Sequence, residues 1–195
     1  MIDAGALGTV LQLEGVHTAA GGHKPDLPAW RMDPAECPWG GMTALGVHTV
    51  DTFHHFVGPA ERVTAFSKRV AGFTDLDDAT SVVIEYVSGP VGTITTTYFS
   101  APVVSLSVFG SEGAAWNEQD GAQLFTQART DTARMQRDVA TTDTIADELG
   151  EFARVIRDGS EPETGIPEAI EVATVLEAIG RSVETGAAVR TSEVR

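Results

Sequence analysis

Apolar and polar residues alternate along most of the chain, and that two-residue period predicts strands. In a first stretch over 9–18, Leu11 and Leu13 alternate with Gln12 and Glu14. Further strand-like runs cover 62–70, 80–87 (TSVVIEYV), 91–99 (VGTITTTYF) and 103–109 (VVSLSVF), with short runs at 114–118 and 122–126. Gly89-Pro90, the segment from Gly110 to Gly113 and Asp120-Gly121 punctuate them. Turns this short join antiparallel neighbours, so this part reads as an antiparallel meander rather than a series of βαβ units. Within 91–99, Thr93, Thr95 and Thr97 fall on one face and Ile94 and Tyr98 on the other. A β-branched, semi-polar face suits an open sheet turned to solvent or to a partner subunit.

Over 42–57 the period becomes helical, with Met42, Leu45, Thr49, Phe53 and Phe56 in one largely apolar arc and Gly58-Pro59 as the stop. Two helices close the chain. The first, 144–158, carries Ile145, Leu149, Phe152 and Ile156 on one stripe and ends at Gly159. The second opens at Pro167, a good first-turn residue, and carries Val172, Leu176, Ile179 and Val183 to Gly186. A strand-like tail spans 188–191, a polar excursion 128–143, and a long Gly-, Pro- and Trp-rich loop 19–41. This order predicts an α+β fold: one domain over 1–195, an open, mostly antiparallel β-sheet with helices packed on one face.

Composition narrows the partners. The chain of 195 residues holds 28 acidic against 13 basic side chains, a net charge of −15. Such a field repels phosphate backbones and anionic headgroups, which argues against nucleic acid and membrane surfaces. No apolar run reaches the roughly 20 residues of a membrane span, and MIDAGALGTV is too short and polar for a signal peptide. Cys37 is the single cysteine and has no base adjacent in sequence, so it reads as structural. Together these features give a cytoplasmic protein as the expectation.

Candidate chemistry centres on the glycine-led helix of 37–58. At about 100° per residue, Ala44, His48, Asp51 and His55 fall within about 60° of one another, away from the apolar arc. An imidazole beside a carboxylate is the unit of general acid–base work, and the same positions also fit an ordinary polar helix face. A shared metal ion is disfavoured, because His48 and His55 lie two turns, about 10 Å, apart. Before the helix, His17, His23, Lys24, Trp30 and Arg31 form a second cluster. Trp30 and Arg31 could stack on and ion-pair with an oxygen-rich ligand, or Trp30 could anchor the loop while Arg31 stays solvated. No dinucleotide fingerprint is present: the Gly5–Gly8 turn leads into a strand, and the Gly110–Gly113 turn links two strands.

The stretch WRMDPAECPWGGMTALGVHTVDTFHHFVG resembles a segment of the Gfo/Idh/MocA oxidoreductases, the family of glucose–fructose oxidoreductase and inositol dehydrogenase. It carries the Trp-Arg loop, the glycine-rich turn and a Gly-x-His-x-x-Asp helix, here Gly46-Val47-His48-Thr49-Val50-Asp51. The opening Gly5-Ala6-Leu7-Gly8-Thr9-Val10 is similar to the family's entry to its second domain, and 148–186 to its final helix pair. The resemblance covers nearly the whole chain but only the second half of the family's usual polypeptide. It implies a dihydrodipicolinate reductase-like C-terminal domain that binds substrate and forms homo-oligomers through its sheet. An N-terminal Rossmann domain, not present in this chain, would bind NAD or NADP, so the chain alone would hold no cofactor and be inactive.

The resemblance implies that His48 is the acid–base residue, with a sugar-, polyol- or cyclic diol-like hydroxyl as substrate. Lys24, Trp30 and Arg31 become candidate substrate contacts, Asp51 a supporting residue, and no metal is implied. Two departures stand out. Many members carry Asp four residues before the histidine, where this chain has Ala44, and the Glu-Lys-Pro segment with the family lysine is missing, Lys24-Pro25 being no counterpart. These departures favour the alternative, a stand-alone ligand-binding or assembly module without catalytic activity.

Overall fold

A computed structural model describes residues 1–24, 26–140 and 142–194. Pro25 of the Lys24-Pro25 pair and Thr141 of the polar excursion lie outside them. The elements are β1 (Val10–Thr18), a π-helical turn (Met42–Gly46) running into α1 (Val47–Val57), and then β2 (Ala60–Lys68), β3 (Ala79–Tyr86), β4 (Val91–Thr97) and β5 (Val103–Gly110). There follow β6 (Gly113–Glu118), β7 (Gln123–Ala128), β8 (Met135–Arg137), α2 (Thr144–Asp158), α3 (Ile166–Thr185) and β9 (Val189–Arg190). The strands form one sheet in the order β8-β7-β6-β5-β1-β4-β3-β2-β9. The α+β architecture, open and mostly antiparallel, is the one the patterning predicts.

Alternation fixes which face is covered. Register aligns Val63, Ile84, Gly92, Leu13, Val108 and Ala115 across neighbouring strands as one inner row. These positions are buried, and α1 lies over β1 and β4 and α3 over β2. Gly15 and Gly92 leave room for α1. A Cβ at Gly15 would sit 2.3 Å from Thr49 Cγ2, and one at Gly92 would sit 3.0 Å from the Phe53 ring. Phe53 fills that hollow, fully buried and edge-on to Tyr86 with ring centroids 6.5 Å apart. Burial of such a ring contributes about 1.5–3 kcal/mol. Ser182 of α3 stitches the helix to the sheet: its Oγ accepts from the Ala65 N–H at 2.9 Å and donates to Ala187 O at 2.7 Å. Among the described residues, the buried Tyr86 Oη and Thr96 Oγ1 lack a hydrogen-bond partner.

The other face is uncovered. Thr64, Val83, Thr93, Glu14, Ser107, Trp116 and Phe125 form one outer row across seven strands. The threonine face read in 91–99 belongs to it, and the Arg134 guanidinium lies 4.3 Å from the Phe125 ring centroid.

Four features differ from the patterning. β1 does not flank the meander; it lies between β4 and β5, parallel to β4 and antiparallel to β5. The first turn of the long helix is π-helical, and the excursion contains the short strand β8. The apolar stripe of α2 does not join the core: Ile145, Leu149, Phe152 and Ile156 are each 63–68% exposed. Among the described residues, no helix is long and apolar enough to cross a membrane.

Candidate functional site

The loop before α1 is held against the sheet, and that fixes where the helix starts. Trp39 adopts φ 57° and Gly40 φ 48°. The Trp39 carbonyl accepts from Thr80 Oγ1 at 3.2 Å, and its ring lies over Gly180 of α3, where a Cβ would meet Trp39 Cζ2 at 2.4 Å. Thr43 Oγ1 donates to the Pro38 carbonyl. From this anchor the π-helical turn leads through Gly46, which packs against the Met42 thioether and Thr96. The wider turn resets the helical phase just before His48; π-turns recur at functional positions in helices. Gly58, at φ 83°, ends α1 with its N–H on His54 O at 2.8 Å.

His48 is exposed at one wall of a cavity of about 400 Å³. Thr49 and Thr52 of α1 share that wall; His17 of β1, Ser105 of β5, Asn117 of β6 and Asp120 of the β6–β7 turn complete it. The His17 and His48 rings face each other with centroids 6.2 Å apart, tilted by 37°. Burial, then the neighbouring His48, push the His17 imidazole below its usual value, against an upward pull from Asp120. The cavity thus offers two imidazoles, a carboxylate, an amide and three hydroxyls, a donor and acceptor set suited to a ligand rich in hydroxyl groups.

A second, more apolar cavity of about 250 Å³ adjoins the first and shares Thr52, Leu106 and Asn117 with it. His55 lines this second cavity rather than the first. The structure therefore separates the two histidines that share a helix face. Asp51 lines neither, and among the described residues no hydrogen bond joins it to His48 or His55.

The three residues read as substrate contacts lie elsewhere. Lys24 is exposed after a short 3₁₀ turn, and Arg31 stacks on Trp30 with its guanidinium carbon 4.7 Å from the ring centroid. None of the three lines the His48 cavity. Trp39, not Trp30, anchors the loop. Cys37 is buried with its thiol on Gly40 O at 3.8 Å, and burial pushes its pKa up, in keeping with a structural role. His17, Asn117 and Asp120 carried no assignment at the cavity from sequence. The parity of Leu13, Gly15 and His17 in one strand places His17 on the inner face and was the available signal.

Among the described residues, no glycine turn links a strand directly to an α-helix as a dinucleotide fingerprint requires. The one parallel strand pair among the described residues, β1 and β4, is separated in the chain by α1, β2 and β3 rather than by one crossover helix. The glycine turns at 5–8 and 110–113 lead into strands, so neither presents a helix N-terminus to a pyrophosphate.

Residues 1–116 match the family model described as the GFO/IDH/MocA C-terminal domain. Over 166 residues, the chain is 28% identical to D-xylose 1-dehydrogenase (NADP(+)) 2 of Haloferax volcanii, covering 82% of this chain and 50% of that protein. An oxidoreductase of Desulfitobacterium hafniense, named as NADPH-dependent, superposes with a TM-score of 0.91 at 25% identity, over 100% of this chain and 60% of its own. Levoglucosan dehydrogenase in complex with NADH and L-sorbose gives a TM-score of 0.85 over 97% of this chain and 60% of its own; at 20% identity the likeness is one of fold. The chain spans about half the length of the curated relative and three-fifths of these structures. Both Gly46-Val47-His48 and the opening segment 5–10 lie inside the matched span.

Proposed function

The chain belongs to the GFO/IDH/MocA C-terminal domain family, and from that premise we propose that it is the substrate-binding and oligomerising domain of an NAD(P)-dependent dehydrogenase acting on a sugar-, polyol- or cyclic diol-like hydroxyl. The observation that carries this reading is the position of His48, an exposed imidazole on the wall of a cavity lined by hydroxyls, an amide and a carboxylate. The cofactor, NAD or NADP, would be held by a domain outside these 195 residues. His48 would take up or return the proton of the reacting hydroxyl, the O–H bond breaking as an N–H bond forms. Thr52, Ser105 and Asn117 would orient neighbouring hydroxyls of the ligand. Lys24, Trp30 and Arg31 keep a role only toward a part of the substrate that extends beyond the cavity. Copies of the chain would pair through the uncovered sheet face, in the cytoplasm.

The competing reading is a ligand-binding module without chemistry, and Ala44, four residues before His48 in the helix, favours it. Two titrations of the 195-residue chain test the proposal. Addition of D-xylose or levoglucosan should shift the His48 side-chain resonances in heteronuclear NMR spectra, and His48→Ala should weaken that binding. Calorimetry with NADH and NADPH should show no micromolar binding; a micromolar affinity for either would overturn the division of labour proposed here. Activity then separates the two readings: joined to the dinucleotide-binding half of its own enzyme, the wild-type domain should support sugar oxidation that His48→Ala abolishes. No turnover by the wild-type assembly would leave the module reading standing, and turnover retained in the variant would move the acid–base role to another residue.

A further inference from the structure

On the cavity wall opposite α1, the β6–β7 turn is built in a backbone conformation that side chains resist. Gln119 and Asp120 both have φ 54°, followed by Gly121 at φ 87°. Two consecutive non-glycine residues in the left-handed region are uncommon, and such conformations persist where the surroundings hold them. Here the holding contact is visible: the Asp120 N–H donates to Val104 O at 3.2 Å. Val104 is the register partner of His17 on the neighbouring strand. The turn is therefore tied to the strand position beside His17, and Asp120 and His17 line the same cavity as His48.

From this geometry we propose that His17 is the positioning residue for His48 and that Asp120 completes with them a three-group array that holds a single proton at the cavity wall. The inference rests on the reading of His48 as the proton-exchanging residue. Two imidazoles with centroids 6.2 Å apart cannot both be charged without mutual repulsion. A carboxylate in the same cavity favours one positive charge over none. The array thus favours at most one imidazolium between the two rings. His17, half-buried on the sheet, is the ring on which the charge is disfavoured, and it faces the exposed His48 across the cavity wall.

Among the described residues, no other ionisable group lines this cavity. On β1 the neighbouring inner-face positions are Leu13 and Gly15, β4 places Thr96 beside His17, and β5 contributes Val104, Ser105 and Leu106 to the cavity. From α1 the cavity receives His48 alone among titratable residues, and from the β6–β7 turn it receives Asp120.

The test is an NMR titration of the five imidazoles of the wild-type chain, His48→Gln and Asp120→Asn. Both substituted residues are exposed, so the fold should persist, and amide spectra check that it does. In His48→Gln the His17 midpoint should rise, because a like charge has been removed. In Asp120→Asn it should fall, because an attractive charge has been lost. A purely structural role for His17 predicts that its curve superimposes in all three proteins, and that result would overturn the proposal. Adding D-xylose to the same samples keeps the two ideas apart. A sugar-induced shift at His48 with an unmoved His17 curve removes the array and leaves the proposed function. Coupled curves without any sugar response remove the function and leave the array.

Discussion

The methyl group of Thr49 occupies the space that a side chain on Gly15 would need: a Cβ built there lies 2.3 Å from Thr49 Cγ2. This contact sets how closely α1 lies on β1. Thr49 follows His48 in sequence, and Gly15 lies two residues before His17 on the same strand face. The spacing of the two imidazoles is therefore inherited from a backbone-to-helix approach that only glycine permits.

Gly15→Ala should destabilise the domain by about 1–3 kcal/mol, the usual cost of overpacking a core. The helix must lift or Thr49 must turn away, so the His17–His48 spacing should change with it. Urea denaturation gives the first quantity. In the second experiment, the paired substitution Gly15→Ala/Thr49→Ala should recover part of the loss, because the truncated side chain vacates the contested space. No recovery would show that the penalty arises elsewhere.

Much of this arrangement could be read from the sequence, and the missing parts share a physical cause. Strand alternation located the inner and outer faces of 91–99 correctly, because pleating obeys local order. The placement of β1 between β4 and β5 depends on pairings between residues about 80–100 positions apart, as between Gly15 and Ile94 or Gly15 and Leu106. No local period reports such pairings. The family motif pointed to His48, which the structure places at a cavity. Asp120 looked like an ordinary turn residue, since its part in the cavity depends on where β5 and β6 bring the turn. The stripe on α2 shows the converse: a helical period announces amphipathicity but does not say what the apolar face meets.

Asp78 offers a prediction with a defined sign in pH. Its carboxylate accepts the N–H groups of Val70, Ala71 and Gly72 at 2.7, 2.8 and 3.0 Å. Burial opposes ionisation, but these bonds outweigh it and hold the carboxyl below its usual value of 3.8. A depressed folded-state pKa contributes stability that is complete above the unfolded value and is lost as pH falls through the folded one. Asp78→Asn should cost about 1–3 kcal/mol at neutral pH. The gap from wild type should close as pH drops from the unfolded value through the folded-state pKa. Denaturant midpoints measured across that range check it, and a gap of constant size would contradict the assignment.

Two apolar residues on different helices should respond in opposite ways to truncation. Phe53 is fully buried, whereas Leu149 is 63% exposed. Phe53→Ala should cost about 3–5 kcal/mol, and Leu149→Ala should stay within about 0.5 kcal/mol of wild type. Thermal and urea unfolding of both variants measures this contrast. A large loss for Leu149→Ala would mean that α2 packs its stripe against something in solution.

The proposed pairing through the sheet predicts which single charge should disrupt it. Val83 lies in the outer row between Thr64 and Thr93 and is 45% exposed, with no helix above it. In a two-fold interface the same patch is used by both copies, so one substitution appears twice. Val83→Arg would bring two guanidinium groups into the contact, where they repel each other and lose water, with the Glu14 carboxylate of the same row two strands away. Glu85 cannot compensate, because it is already engaged by Arg62 at 2.8 Å through Nε. The wild-type chain should therefore sediment as a dimer or larger species at micromolar concentration, and Val83→Arg should sediment as a monomer with unchanged secondary structure. A wild-type chain that is monomeric at these concentrations would remove the oligomerisation role from the sheet face. An assembly that survives the substitution would move the interface to another surface, with the exposed stripe of α2 the next to be tested.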